Sequence, residues 1–474
     1  MRNWVACLVI SGLLSASDWP RYRGPNGTGI SPDRELPSEL SKDKTLLWTT
    51  TVAKGNSSPV VVGGRVFITG HEGEQRAVFC LDAKSGKLLW RKSVDPVWKE
   101  TVNPLNGPTT PSVATDGRLV FSYFPEMGLV AHDFAGDERW QVPLGPFGSI
   151  QGMAASPVYA NGKVVLLVDT PEEAFLVAYD AETGRQAWKV DRPIGFLGSY
   201  ATPSIHKPAQ GPEQLVVAGA VEVTAYDIST GKRVWWANTI TNGPAALPLV
   251  HDNAVYTVEP GGEGAPPFGQ MLKQFDKNGN GKVELSEASG DSVNERIMYR
   301  VFKSIDKHVG DNDGSVTEKE FTGSFASDKP AGGLVRTELG GNGDVTRTNI
   351  AWRQTKGMPY VTAPLLYKGV LYVIRNGGIL ATYDPKSGKR LGEARLKEAI
   401  GDYYASPVAG GGKIYFVNKE GKISVVRAGE KWEVLSTTDL GEQVIATPAI
   451  ADARIYIRTD QALYCFGNAP GPAK

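Results

Sequence analysis

The sequence predicts an all-β fold, an eight-bladed β-propeller of four-stranded blades, with one small α-helical insertion. Three observations point there. A small residue, a proline and an apolar run recur eight times; an Asp-x-x-Ser/Thr-Gly turn followed by tryptophan runs in phase with them; and one gap between repeats is far longer than the rest.

The first repeat is marked by Pro59, Pro111, Pro157, Pro203, Pro248, Pro364, Pro407 and Pro448, in stretches such as SSPVVVGGRVFI and ASPVAGGGKIYF. Successive prolines stand 52, 46, 46, 45, 116, 43 and 41 residues apart. A period in the forties made of four short strands marks a propeller blade rather than a helical repeat. In a chain of 474 residues, 55 glycines and 11 tryptophans fit the many turns and short strands this requires.

The second repeat reads LDAKSGKLLW (Asp82, Gly86, Trp90), YDAETGRQAW (Asp180, Gly184, Trp188) and YDISTGKRVW (Asp227, Gly231, Trp235). Partial copies hold Asp133 with Trp140, Asp384 with Gly392 where tryptophan would fall, and RAGEKW with Trp432; Trp352 and Trp48 fill the remaining slots. An acidic side chain that caps its own backbone, followed by a glycine free to take positive φ, is turn chemistry, so these aspartates read as turn residues and not as catalysts. Tryptophan kept in seven of eight blades reads as packing between neighbours. The last blade runs out at Gly467, while Trp48 in TLLWTTTV has no blade in front of it. The N-terminal strand therefore completes the last blade, which removes a free sheet edge.

The long gap lies within blade five, between LPLVHD–AVYTVE and GGLVRTEL. Residues 261–331 read there as an inserted EF-hand pair. In DKNGNGKVELSE, Asp276, Asn278 and Asn280 stand at positions 1, 3 and 5, Gly281 at the sharp turn, Lys282 offers a carbonyl at 7, Glu284 follows at 9, and Glu287 is the bidentate ligand at 12. Calcium takes six to eight oxygens, and a twelve-residue loop can wrap them round it. Phe268, Met271, Leu272 and Phe275 fall at helical spacing ahead of the loop. Met298, Val301, Phe302 and Ile305 repeat that spacing and make Asp306 the first ligand of a second loop, with Asp311, Asp313 and Glu320 behind it. Gly314, however, follows Asp306 by eight residues where Gly281 follows Asp276 by five. Either Asp306 reaches in from a bulged loop or this calcium site is weak.

Residues 1–17 (MRNWVACLVISGLLSAS) join a positive start to a short apolar stretch and small residues, the pattern of a signal peptide. The chain is therefore expected to be exported, to the periplasm or beyond, with no transmembrane segment in its mature part. Residues 18–43 form a Gly/Pro-rich lead-in, 44–260 and 332–467 the two parts of the propeller, and 468–474 a tail. Lysine plus arginine equals aspartate plus glutamate at 51 each, which leaves no field to recruit nucleic acid. Cys80 and Cys465 stand in runs that read as buried strands and are expected as free thiols. The five histidines lack metal-ligand spacing, and no hydrolase elbow, phosphate loop or Cys-x-x-Cys occurs. The blade-to-blade connections carry Trp98, Phe147, Phe196, Tyr200, Tyr360, Tyr403 and Tyr404 on the same face as the insertion. That face is the candidate surface for a protein or polysaccharide partner.

The pattern Ala-x-Asp-x-x-Thr-Gly-x-x-x-Trp, nearly whole at Ala178–Trp188 and Ala225–Trp235, resembles the tryptophan-docking repeat of the PQQ-like β-propeller family. That family includes quinoprotein dehydrogenases and the outer-membrane assembly factor BamB. The lead-in DWPRYRGPNGTGIS resembles that of exported propellers of the same family. The resemblance implies two functions. One is a non-catalytic, calcium-binding scaffold of the BamB-like kind, active in cell-envelope assembly; the alternative is a PQQ-dependent oxidoreductase. The paired adjacent cysteines typical of the PQQ alcohol dehydrogenases are missing, and their calcium ligands and catalytic aspartate have no counterpart that can be assigned. No catalytic residue is therefore expected, and a PQQ-binding residue cannot be assigned.

Overall fold

A computed structural model of the chain describes residues 17–99, 103, 105–149, 151–193, 198–220, 222–239, 243–260, 267–290, 293–325 and 332–468. Eight antiparallel sheets surround a central axis. Blade 1 is Val60–Val62, Arg65–Glu72, Gln75–Asp82 and Leu88–Val94, and the later blades repeat this up-and-down order. In blade 8, Leu46–Thr51 pairs antiparallel with Ala462–Gly467, so the N-terminal strand closes the ring as expected. The expected leader, residues 1–17, lies outside the described residues except for Ser17.

The repeated turn explains the blade interface. Five outer-strand tryptophans donate their indole N–H to a carbonyl just past the turn aspartate of the next blade: Trp48 to Ala83, Trp90 to Phe134, Trp140 to Ala181, Trp188 to Ile228 and Trp352 to Pro385. The turn glycine lies flat on that ring. A Cβ on Gly184, at φ +68°, would come within 2.7 Å of Trp140, so both the left-handed conformation and the close approach demand glycine. Asp180 fixes the turn by accepting the N–H and the hydroxyl of Thr183.

Two slots depart from expectation. In blade 7 the residue paired after the conserved bulge is Ser436, and Trp432 precedes the strand Glu433–Asp439, so six blades and not seven keep the outer-strand tryptophan. Trp432 instead packs beside the core between blades 6 and 7. In blade 4, Trp235 donates to Gln214 of its own blade, because blade 5 replaces the short turn with a long loop. That loop's Gly343–Asp344 pairs parallel with Trp235 and Trp236 as a fifth strand.

Around the axis the residues at the inner strands form a chain of hydroxyl links. Backbone N–H groups of Ser58, Ser112 and Ser156 donate to the hydroxyls of Ser112, Ser156 and Thr202, and those of Ala363, Ser406 and Thr447 to Ser406, Thr447 and Ser58. Leu247 of blade 5 and Ala363 of blade 6 carry no hydroxyl, so the chain breaks at that seam.

The lead-in crosses the axis and covers the seam. Trp19 is fully buried and bridges to Val61 of blade 1; Ile30 bridges to Ala409 of blade 7. Arg21 donates to the Pro203 carbonyl, and Arg23 to those of Pro364 and Pro407. Gly27 packs against Leu247, where a Cβ would meet the side chain at 2.5 Å. The lead-in is thus an axial plug.

Helices α1 (Phe268–Phe275), α2 (Leu285–Ala288), α3 (Val293–His308) and α4 (Glu318–Phe325) all lie between the second and third strands of blade 5. They share a core of Phe268, Phe275, Val301, Phe302 and Ile305, from the helical faces read from the sequence, joined by Phe321 of α4. Arg300 of α3 donates to the Ser149 carbonyl at 2.9 Å, which puts the helices on the face of the blade-to-blade connections.

Candidate functional site

Above the plug the channel opens into a cavity of about 250 Å³. Tyr22 of the plug forms its floor, and Tyr200, Tyr360 and Tyr404 line its walls. Of the other aromatics expected on this face, Phe147 is buried against Phe175, Tyr403 is buried with its hydroxyl on the Ala399 carbonyl, Trp98 stands outside the cavity, and Phe196 lies outside the described residues. The opposite wall is a cluster of amides. Asn103 donates to Gln151 Oε1 at 2.7 Å, Asn106 to the Gln151 carbonyl at 2.9 Å, and Asn56 to the Leu105 carbonyl at 3.1 Å. Hydroxyls of the inner ring complete the lining, and among the described residues no charged side chain faces the cavity. Burial raises the Tyr200 and Tyr404 phenols, which stay neutral donors at physiological pH.

The second place of interest is the helical insertion. Val283–Glu284 and Ser315–Val316 pair antiparallel, and this register equates Val283 with Val316, hence Gly281 with Gly314 and Glu287 with Glu320. In the first loop Asp276 Oδ2 accepts from Gly281 N–H at 2.9 Å, while Glu287 accepts from Lys277, Asn278 and Glu284 N–H. In the second, Asp306 Oδ2 accepts from Gly314 N–H at 3.0 Å. The same bond recurs despite three extra residues, because α3 runs on to His308 and the surplus is spent beyond Asp306. Oxygens of Asp306, Asp311 and Asp313 lie within 4.8 Å of one another. Asp306 is 2% exposed, and its Oδ1 has no hydrogen-bond partner among the described residues. Buried carboxylate oxygens are nearly always satisfied, and the three clustered carboxylates could hold a cation.

The sequence profile of one protein family, described as outer membrane protein assembly factor BamB, matches residues 38–96, 93–263 and 318–471. The chain belongs to this BamB family. The match leaves out residues 264–317, the bulk of the helical insertion. Among curated proteins, polyvinylalcohol dehydrogenase of a Pseudomonas species is 26% identical over 226 residues, 39% of this chain and 34% of the relative. BamB of Burkholderia pseudomallei is 27% identical over 164 residues, 33% of this chain and 37% of the relative. The matched stretch thus spans about a third of each relative. A europium-containing methanol dehydrogenase superposes with a TM-score of 0.60 at 13% identity, covering 96% of this chain and 98% of that one, which supports the propeller fold.

The dehydrogenase likeness makes pyrroloquinoline quinone the cofactor to test against the residues. It carries three carboxylates, and the cavity on the axis offers amides, hydroxyls and phenols but, among the described residues, no cation to meet them. Cys80 and Cys465 are buried free thiols in blades 1 and 8, each paired with an outer-strand tryptophan, and burial pushes both up to about 12. The residues of this cavity do not fit the quinone. Several features escaped sequence reasoning. Tyr22 at the cavity floor, and Arg21 beside it, belong to a segment that occurs once and has no repeat to read it against. His206 and His251 line one cavity on the opposite face, although they look scattered in sequence. Their signal was available: each ends the inner strand of its blade, Ser204–His206 and Leu249–His251.

Proposed function

We propose that this BamB-family propeller is an exported, calcium-binding scaffold that holds a protein or polysaccharide partner on the face of the blade-to-blade connections and performs no chemistry of its own. The observation that carries the reading is the uncharged axial cavity, in which tyrosines face preordered amides. Neutral donors and aromatic faces suit a neutral polar group of a partner and supply neither a general base nor a cofactor anchor.

The insertion serves this face as a calcium-stabilised attachment. Asp276, Asn278, Asn280, Glu284, Glu287 and the Lys282 carbonyl would hold one ion; Asp306, Asp311, Asp313 and Glu320 would hold a second. Bound calcium would supply the charge these carboxylates need to converge. No helix among the described residues is long and apolar enough to cross a membrane, in keeping with a protein that works beside the envelope.

The likeness to dehydrogenases favours the alternative, a PQQ-dependent oxidoreductase. Calorimetric titration of pyrroloquinoline quinone into the calcium-loaded protein separates the two readings. Absence of binding heat is expected; saturable one-to-one binding would overturn the scaffold reading.

A further inference from the structure

On the face of the plug away from the insertion lies a second cavity, of about 560 Å³, lined by Arg21, His206, Lys207, His251 and Asp252 among others. Arg21 is 5% exposed and makes one side-chain hydrogen bond, from Nη2 to the Pro203 carbonyl. Its Nε and Nη1 have no partner among the described residues. A guanidinium carries five donors in a rigid fork and stays charged, and a buried charge is costly unless other groups answer it. The contrast with Arg458 is instructive. That arginine is buried more deeply still, leaves only Nε without a partner among the described residues, spends its two terminal nitrogens on Ser57, Thr69 and Ala53 oxygens, and borders neither of the two cavities.

Among the described residues no carboxylate pairs with Arg21. The one carboxylate of the lining, Asp252, is 3.4 Å from His251 and largely exposed, and Lys207 turns outward to Glu213. Burial lowers Arg21 only to about 10, so it remains cationic at neutral pH. The imidazole of His251 completes the rim, and His206 sits deeper in the wall. The lining thus sets a buried cation against no buried carboxylate.

The geometry points to a binding site for an oxyanion, a carboxylate or a tetrahedral phosphate or sulfate group, held by the Arg21 fork at the base of this cavity with His251 at its rim. The cavity is larger than a bare oxyanion, so the group belongs to a bigger molecule that enters from the face opposite the calcium insertion. The site is independent of the partner surface proposed above.

Titration calorimetry on the full chain, at fixed ionic strength in chloride, tests it with two probes that compete little for calcium. Sulfate represents the tetrahedral oxyanion and succinate the carboxylate. Saturable one-to-one binding of at least one is expected, weakened tenfold or more by Arg21→Gln and severalfold by His251→Ala. The probe that binds tells which oxyanion the site takes. Absence of saturable binding by both, or affinities unchanged in both variants, would overturn the site. Should Arg21→Gln fail to fold, His251→Ala decides: it sits at the rim outside the plug, and an unchanged affinity there refutes the proposal.

Discussion

In the blade turns, Asp180 Oδ1 accepts both the N–H and the hydroxyl of Thr183, and Asp82 and Asp384 do the same with Ser85 and Ser387. In the insertion, Asp306 keeps an oxygen with no donor among the described residues and shares its space with Asp311 and Asp313. The turn aspartates are thus complete within the polypeptide, and Asp306 is not. Even within the insertion the contrast is local, because Asp313 accepts the N–H and the hydroxyl of Ser315 just as a turn aspartate does. Hydroxyl donors hold the turn carboxyls below their usual range, whereas burial raises that of Asp306.

The largest expected effect belongs to the ring. Trp188→Ala removes an indole that fills the interface with blade 4 and should cost about 3 kcal/mol in urea unfolding, whether calcium or chelator is present. A loss that depended on calcium would break the separation of the two regions. Next comes the ion. Calcium at a hundred times its dissociation constant should stabilise the insertion by about 2.7 kcal/mol. Differential scanning calorimetry of Glu287→Ala should therefore show a lowered melting temperature in calcium and almost none of that loss in chelator; equal losses would remove Glu287 from the ligands.

The ring also has a pH dependence of its own. His132 is buried against Trp90, and burial lowers it to about 4. Above pH 6.5 the imidazole is neutral in both folded and unfolded chains. Below that, the unfolded chain takes up a proton that the fold resists, so stability should fall by roughly 2 kcal/mol as pH drops from 6.5 to 4. Urea midpoints across that window should decline for the native chain and stay flatter for His132→Phe. Smallest is Asp180→Ala, which removes one turn acceptor at an exposed site. It should cost about 1 kcal/mol, equally in calcium and chelator, in the same unfolding assay.

The fold was readable because a blade states its packing eight times. Pro59, Gly184 and Trp188 mean little alone, but in phase with their copies they locate strands, turns and interfaces. Legibility failed where the chain does something once. Arg21, Tyr22 and Arg23 look like an unstructured lead-in until their partners, hundreds of residues away, are known. Trp432 falls short of the outer-strand slot because the preceding turn shifts the strand and brings Ser436 into register. Asp306 could be read as a possible ligand, but only the continuation of α3 explains how it keeps the first position of a loop three residues too long. His206 and His251 share a register that the phased repeats already held.

The break in the inner hydroxyl chain falls at the blade that carries the helices. Blade 5 is joined to its neighbours from inside by the plug and from outside by an altered tryptophan contact. The strands on either side of the insertion meet directly, with Val258 opposite Leu334 and the Glu259 N–H on the Gly333 carbonyl. Such a blade is a natural graft point: a whole helical module departs from and returns to neighbouring residues, and the ring around it keeps its geometry. In modular terms, the propeller is a chassis with one socket, and blade 5 is where a lineage could exchange what the scaffold carries without redesigning what holds it.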